Sequence, residues 1–133
     1  MPETLGLNHL GLTVEDLETS TAFFVSCLGW SETARDPSYP RTTITDGELR
    51  LTLWQQDRSG KLVSFNRRQN VGLHHLALQV ASKEDLVRLA DKLAVWPGVE
   101  IEFMPELMGT GPRMHMMFTE PGGIRLELLW MGT

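Results

Sequence analysis

Cysteine is nearly absent. Cys27 is the single one in 133 residues, so no intramolecular disulfide is available and a reducing cytoplasm is the expected compartment. It falls among apolar helix residues and reads as core rather than nucleophile. Basic charge is also scarce. Lys and Arg number 12 against 17 Asp and Glu, giving a net charge of -5 and a pI of about 5.3. That balance argues against a nucleic-acid backbone as the main partner, and the pair Arg67-Arg68 is too short to reverse it. No apolar run approaches the ~20 residues that span a bilayer, so no membrane partner is expected. Met1-Pro2-Glu3-Thr4 carries no basic segment leading an apolar stretch, so no secretory leader is expected. Gly122-Gly123 is a turn rather than a phosphate cradle, because no helix follows it. What remains is 41% hydrophobic and 22% charged, an ordinary globular composition at a length that suits one domain with a real core.

What is present is repetition. Leu7-Asn8-His9-Leu10-Gly11-Leu12-Thr13-Val14 recurs as Leu73-His74-His75-Leu76-Ala77-Leu78-Gln79-Val80, and Leu49-Arg50-Leu51-Thr52-Leu53 recurs as Ile124-Arg125-Leu126-Glu127-Leu128. His9 therefore matches His75, and Thr52 matches Glu127. A period of half the chain marks a duplicated supersecondary unit.

Each half reads as strand, helix, then three strands. Residues 5–14 alternate apolar with small or polar groups, as a half-buried strand does. Asp16 is placed to cap a helix carrying Leu17, Phe23, Phe24, Cys27 and Leu28, and Gly29 to end it. Strands are expected near 30–35, 40–46 and 48–55, with Asp46-Gly47 as a hairpin turn. Residues 56–70 read as a polar connector. In the second half, 72–80 is a strand and Ser82 with Asp85 resembles a capping box. Leu86, Leu89, Ala90 and Leu93 then fall at helical spacing. Strands follow near 99–104, 112–119 and 123–130, with Pro105 to Pro112 as a loop placed to lie over a pocket.

Alternate strand residues point to opposite faces. One face carries Leu10, Leu12 and Val14, with Leu76, Leu78 and Val80, Leu51 and Leu53, and Leu126 and Leu128 as its counterparts. It is uniformly aliphatic and should pack on the helices. The other carries His9, Gly11, Thr13, His75, Ala77, Gln79, Arg50, Thr52, Trp54, Arg125 and Glu127. Two histidines and a carboxylate on equivalent strands suit a divalent Fe, Mn, Ni, Co or Zn ion and leave positions open for substrate. His74 is expected to point away from His75 and is not counted as a ligand.

Several stretches in this order resemble the vicinal oxygen chelate superfamily: Leu7-Asn8-His9-Leu10, Val14-Glu15-Asp16-Leu17 through Phe23-Phe24 to Leu28-Gly29-Trp30, His74-His75-Leu76-Ala77, and Glu120-Pro121-Gly122-Gly123-Ile124-Arg125-Leu126-Glu127. That superfamily includes glyoxalase I, extradiol dioxygenases, and the fosfomycin and bleomycin resistance proteins. The resemblance covers essentially the whole chain. It implies one α+β domain over 1–133, with βαβββ modules at 1–55 and 71–133, a linker at 56–70, and curled mixed sheets around a metal site. It implies His9, His75 and Glu127 as ligands of one divalent ion, a homodimer, and a small-molecule substrate.

The chain departs from each relative's pattern in its own way. Thr52 stands where glyoxalase I has a second carboxylate, and a neutral hydroxyl is a poor ligand and a poor base. Met117 stands where extradiol dioxygenases have a tyrosine, and the histidine expected upstream of that tyrosine is missing. Gly11 stands where fosfomycin resistance proteins have a threonine. If Met117 faces inward, Arg113 and His115 share its face, which makes His115 a candidate proton shuttle beside Glu127. Arg113 and Arg125 are candidates for a substrate carboxylate or phosphate, and Thr52, Trp54 and Met117 for other substrate contacts. The expectation is a metal-dependent enzyme, glyoxalase-like lyase or isomerase, or dioxygenase. The alternative is a bleomycin-resistance-type module that sequesters a drug or metabolite without turning it over.

Overall fold

The computed structural model describes all residues from Met1 to Thr133. The chain forms two compact units, Met1–Leu62 and Val63–Thr133. The first unit runs β1 (Leu10–Val14), α1 (Leu17–Ala22), β2 (Ser31–Asp36), β3 (Arg41–Thr45) and β4 (Arg50–Gln55). The second repeats the plan with β5 (Leu76–Gln79), α2 (Lys83–Ala94), β6 (Glu100–Leu107), β7 (Met114–Thr119) and β8 (Arg125–Trp130). The four-stranded sheets are ordered β1-β4-β3-β2 and β5-β8-β7-β6. In each, the first strand pairs in parallel with the last, and the other pairs are antiparallel. The fold class is α+β, a βαβββ module twice over.

The first strand of each module is shorter than the alternation suggested. Its ladder partner sets the limit: Leu10 pairs with Leu51 at the start of β4, and Leu76 with Leu126 at the start of β8. Residues 5–9 and 72–75 therefore have no strand beside them, and Leu5 and Leu7 are exposed. The expected loop from Pro105 to Pro112 is also corrected. β6 runs through Pro105 to Leu107, with bulges between Ile101 and Phe103 and between Phe103 and Glu106. An edge strand tolerates a proline because one side of it needs no donor. The turn is then closed by the Met108 amide donating to the Arg113 carbonyl at 2.8 Å.

Capping fixes both helices. The Asp16 carboxylate accepts the Thr19 amide at 3.0 Å, and the Ser82 hydroxyl accepts the Asp85 amide at 3.0 Å. After α1 the chain widens into a π-helical turn, Phe23–Cys27, in which the Leu28 amide reaches the Phe23 carbonyl at 3.3 Å. The turn buries Phe23, Phe24 and Cys27, and Leu12, Val14, Ile44, Leu51 and Leu53 of the same unit are buried as well. Gly29, at φ 77°, then reverses the chain, a conformation that costs glycine little. In the second unit Leu86, Ala90 and Leu93 of α2 are buried with Met116, Phe118, Leu126 and Leu128. The aliphatic face thus packs on the helix in each unit, which leaves the other face for polar groups. No helix is long and apolar enough to cross a membrane.

Candidate functional site

On the second sheet the parallel and antiparallel registers place Ala77 and Met117 on either side of Glu127. A strand position between buried Leu126 and Leu128 points to the opposite face, so the Glu127 carboxylate stands on the polar side while remaining buried. Two imidazoles reach it. His115 Nδ1 lies 2.6 Å from Glu127 Oε2, and His75 Nε2 lies 3.6 Å from Glu127 Oε1. At 2.6 Å the imidazole donates and the carboxylate accepts, a charge-assisted bond. His115 is fixed on its other flank by the Phe103 ring, with centroids 4.9 Å apart. Met117 is buried beside the carboxylate.

His75 is held from behind. Its Nδ1 lies 2.8 Å from His74 Nδ1, and the rings meet edge to face. Strict alternation put His74 on the far side, but both residues precede β5, so strand parity does not govern them. Arg125 Nη1 approaches His74 Nδ1 at 3.3 Å. Its Nε and Nη2 donate to the two oxygens of Glu102 at 3.0 and 2.7 Å. This forked pair draws the Glu102 carboxyl below its usual range. Desolvation first, then the Arg125 charge, pushes His74 below the ordinary imidazole value. Arg113 is exposed just ahead of β7.

The first unit places His9 immediately before β1, exposed, with Nδ1 2.8 Å from its neighbour Asn8 Oδ1. Thr52 is buried on β4 and accepts the Trp54 indole N–H at 3.1 Å. Trp54 also meets the Tyr39 ring at 4.8 Å and the Arg41 guanidinium at 5.6 Å. Tyr39 and Arg41 were not singled out from the sequence. The signal for Arg41 was present: a hairpin about Asp46-Gly47 sets Thr43 opposite Thr52 and Arg41 opposite Trp54.

A sequence model of the Glyoxalase/Bleomycin resistance protein/Dioxygenase superfamily matches residues 6–128. The chain belongs to this superfamily. A 2-epi-5-epi-valiolone epimerase from Actinomyces sp is 26% identical, with 97% of this chain and 81% of that protein aligned. The crystal structure of a glyoxylase/bleomycin resistance protein/dioxygenase domain from Frankia sp. EAN1pec superposes with a TM-score of 0.81 at 26% identity, covering 97% of this chain and 93% of that one. A fosfomycin resistance protein from Listeria monocytogenes shares the fold at a TM-score of 0.72 and 20% identity, covering 96% and 93%.

Members of the superfamily commonly use a divalent metal. No three His, Cys, Asp or Glu side chains are gathered here in a metal-holding group. The donors on the second sheet nevertheless suit one. The 3.6 Å between His75 Nε2 and Glu127 Oε1 is too long for a hydrogen bond. It lets both atoms reach one ion through bonds of about 2.0–2.2 Å. The second carboxylate oxygen is meanwhile oriented by His115, as ligating carboxylates commonly are by a neighbour.

Proposed function

We propose that this chain is a metal-dependent enzyme acting on a small molecule that presents two adjacent oxygens. His75 and Glu127 hold the ion, and His9, the repeat counterpart of His75, remains the first unit's own candidate ligand. The observation that supports this most directly is the buried Glu127 carboxylate with His75 Nε2 at 3.6 Å from one oxygen and His115 Nδ1 at 2.6 Å from the other. One divalent ion, Fe, Mn, Ni, Co or Zn, would supply Lewis acidity toward the substrate oxygens.

The chain supplies the rest. Because His115 donates its Nδ1 proton to Glu127, its neutral form keeps a lone pair on Nε2, and that nitrogen is the base for a proton next to a carbonyl. Phe103 and Met117 restrict water around this dyad. Arg113, in the same unit, offers a cation for an acidic group, while Thr52 and Trp54 give the first unit a hydroxyl and an aromatic face suited to a small ligand. Proton transfer at carbon, an isomerase or lyase reaction, is favoured over oxygen chemistry. The epimerase name of the Actinomyces relative points the same way, and Met117 replaces the dioxygenase tyrosine. We assign the working protein to a cytoplasmic homodimer, checked by sedimentation velocity.

The test combines metal content after anaerobic purification, Co(II) titration, and deuterium wash-in from D2O to a panel of α-hydroxy ketones. Wild type should bind one ion per chain, and Glu127→Gln should lose it. His115→Gln should keep the ion while slowing exchange about 100-fold or more. Unchanged Co(II) affinity in Glu127→Gln would sink the ligand assignment. A sequestration role has one observation in its favour, the Tyr39–Trp54–Arg41 cluster suited to a planar ligand. Tight ligand binding with no turnover, indifferent to Glu127→Gln, would decide for it.

A further inference from the structure

His74 Nδ1 has two polar neighbours, His75 Nδ1 at 2.8 Å and Arg125 Nη1 at 3.3 Å. A guanidinium nitrogen only donates. His74 Nδ1 is therefore the acceptor of that bond, and a single lone pair faces both neighbours. A proton on His74 Nδ1 would oppose the arginine N–H, so the hydrogen in the 2.8 Å contact belongs to His75. Neutral His75 then carries its proton on Nδ1 and a bare lone pair on Nε2, the nitrogen that faces Glu127. Arg125 cannot readily turn away, since Glu102 grips its Nε and Nη2 at 3.0 and 2.7 Å.

We propose that Glu102, Arg125 and His74 form a tautomer lock, a relay of positioning residues that keeps His75 Nε2 unprotonated and aimed at the Glu127 oxygen. The inference rests on the metal reading above for its purpose but not for its geometry. It gives Arg125 a different task from substrate contact, because all three of its donor-bearing nitrogens are engaged within the second unit. It also accounts for the paired His74-His75, one ring for the ion and one to set the other's proton.

The experiment uses metal-free, 15N-labelled protein at pH 8 and long-range proton–nitrogen correlation spectra of the imidazoles. Wild-type His75 should show the Nδ1–H tautomer. His74→Ala should convert it to a mixture or to the Nε2–H form. His74→Asn, whose amide oxygen sits where Nδ1 was, should restore it. Co(II) titration of the same proteins should show about tenfold weaker binding in His74→Ala and recovery in His74→Asn. An Nε2–H tautomer in wild type, or an unchanged Nδ1–H tautomer in His74→Ala, would overturn the lock. Co(II) affinity that ignores Glu127→Gln would instead overturn the metal reading, and the spectra would still decide the lock.

Discussion

Gly11 is the one glycine within a strand of the first sheet, and a side chain added there meets close neighbours. It lies opposite Thr52 in the parallel register of β1 and β4. A Cβ built there meets Thr52 Oγ1 at 3.2 Å and Trp54 Nε1 at 3.4 Å. The indole thus lies where the neighbouring side chain would otherwise stand, a close approach of the kind that selects glycine in a strand. Its φ is not in the left-handed region, so the backbone itself tolerates substitution. Gly11→Ala should be near neutral. The gain of about 0.4–1 kcal/mol from a stiffer unfolded chain offsets a Trp54–Thr52 hydrogen bond of about 0.5–1.5 kcal/mol. Gly11→Thr should not be neutral, because its γ atoms meet the indole and displace it. The lost terms are that hydrogen bond, a Tyr39–Trp54 contact of about 0.5 kcal/mol given the exposure of Tyr39, and a half-buried Arg41–indole contact of about 0.5 kcal/mol. Set against the same entropic gain, the net destabilisation is about 1 kcal/mol. Urea unfolding of a double-mutant cycle with Trp54→Ala is the assay. With the indole gone, Gly11→Thr should be neutral or stabilising, a coupling of about 1 kcal/mol or more. Strict additivity of the two changes would refute the claim that Trp54 is what Gly11 accommodates.

Loss of the Ser82 hydroxyl in Ser82→Ala removes the acceptor of the Asp85 amide. It should cost about 1 kcal/mol of stability by urea unfolding, with Ser82→Thr, which keeps the hydroxyl that also donates to the Asp85 carboxylate at 2.9 Å, recovering most of it. Arg125 lowers the Glu102 carboxyl pKa in the folded state, so its stabilisation is fully present above the unfolded carboxylate value. It should fade as pH falls through the folded one. Glu102→Gln should flatten that acid limb of the stability profile, and an unchanged slope would remove the ion pair from the account. Asp16, lowered first by the Thr19 amide, works with the same sign. Asp16→Asn should keep the cap of α1 while losing its acid dependence.

The sequence period carried far more of this fold than any single motif did. The repeat of Leu10, Leu12 and Val14 in Leu76, Leu78 and Val80 identified the faces, and those faces then located Glu127 between two buried leucines. Burial with alternation is a local, two-residue property, so it is legible in one dimension. The ends of β1 and β5 were not, because a strand stops where its partner stops and the partners are tens of residues away. The same logic explains the partial legibility of the site. Glu127 and His115 could be set on one face from the sequence because β8 and β7 are adjacent antiparallel strands, in which Met117 opposite Glu127 leaves His115 within reach on the same face. His74 was misread because its contact with His75 is made outside any ladder, where alternation carries no information.

Arg125 shows where such reading ends. Its place on the polar face was legible, and from that place substrate contact was the natural expectation. Its engagement depends on Glu102, which lies beside a bulge in β6 that shifts the register between Ile101 and Phe103. A bulge moves side chains relative to the partner strand without any large change in the hydrophobic pattern. A cation on a polar sheet face is therefore not by itself a substrate ligand. Which acid reaches it first is set by strand irregularities, and here the acid that arrives turns the arginine toward an imidazole.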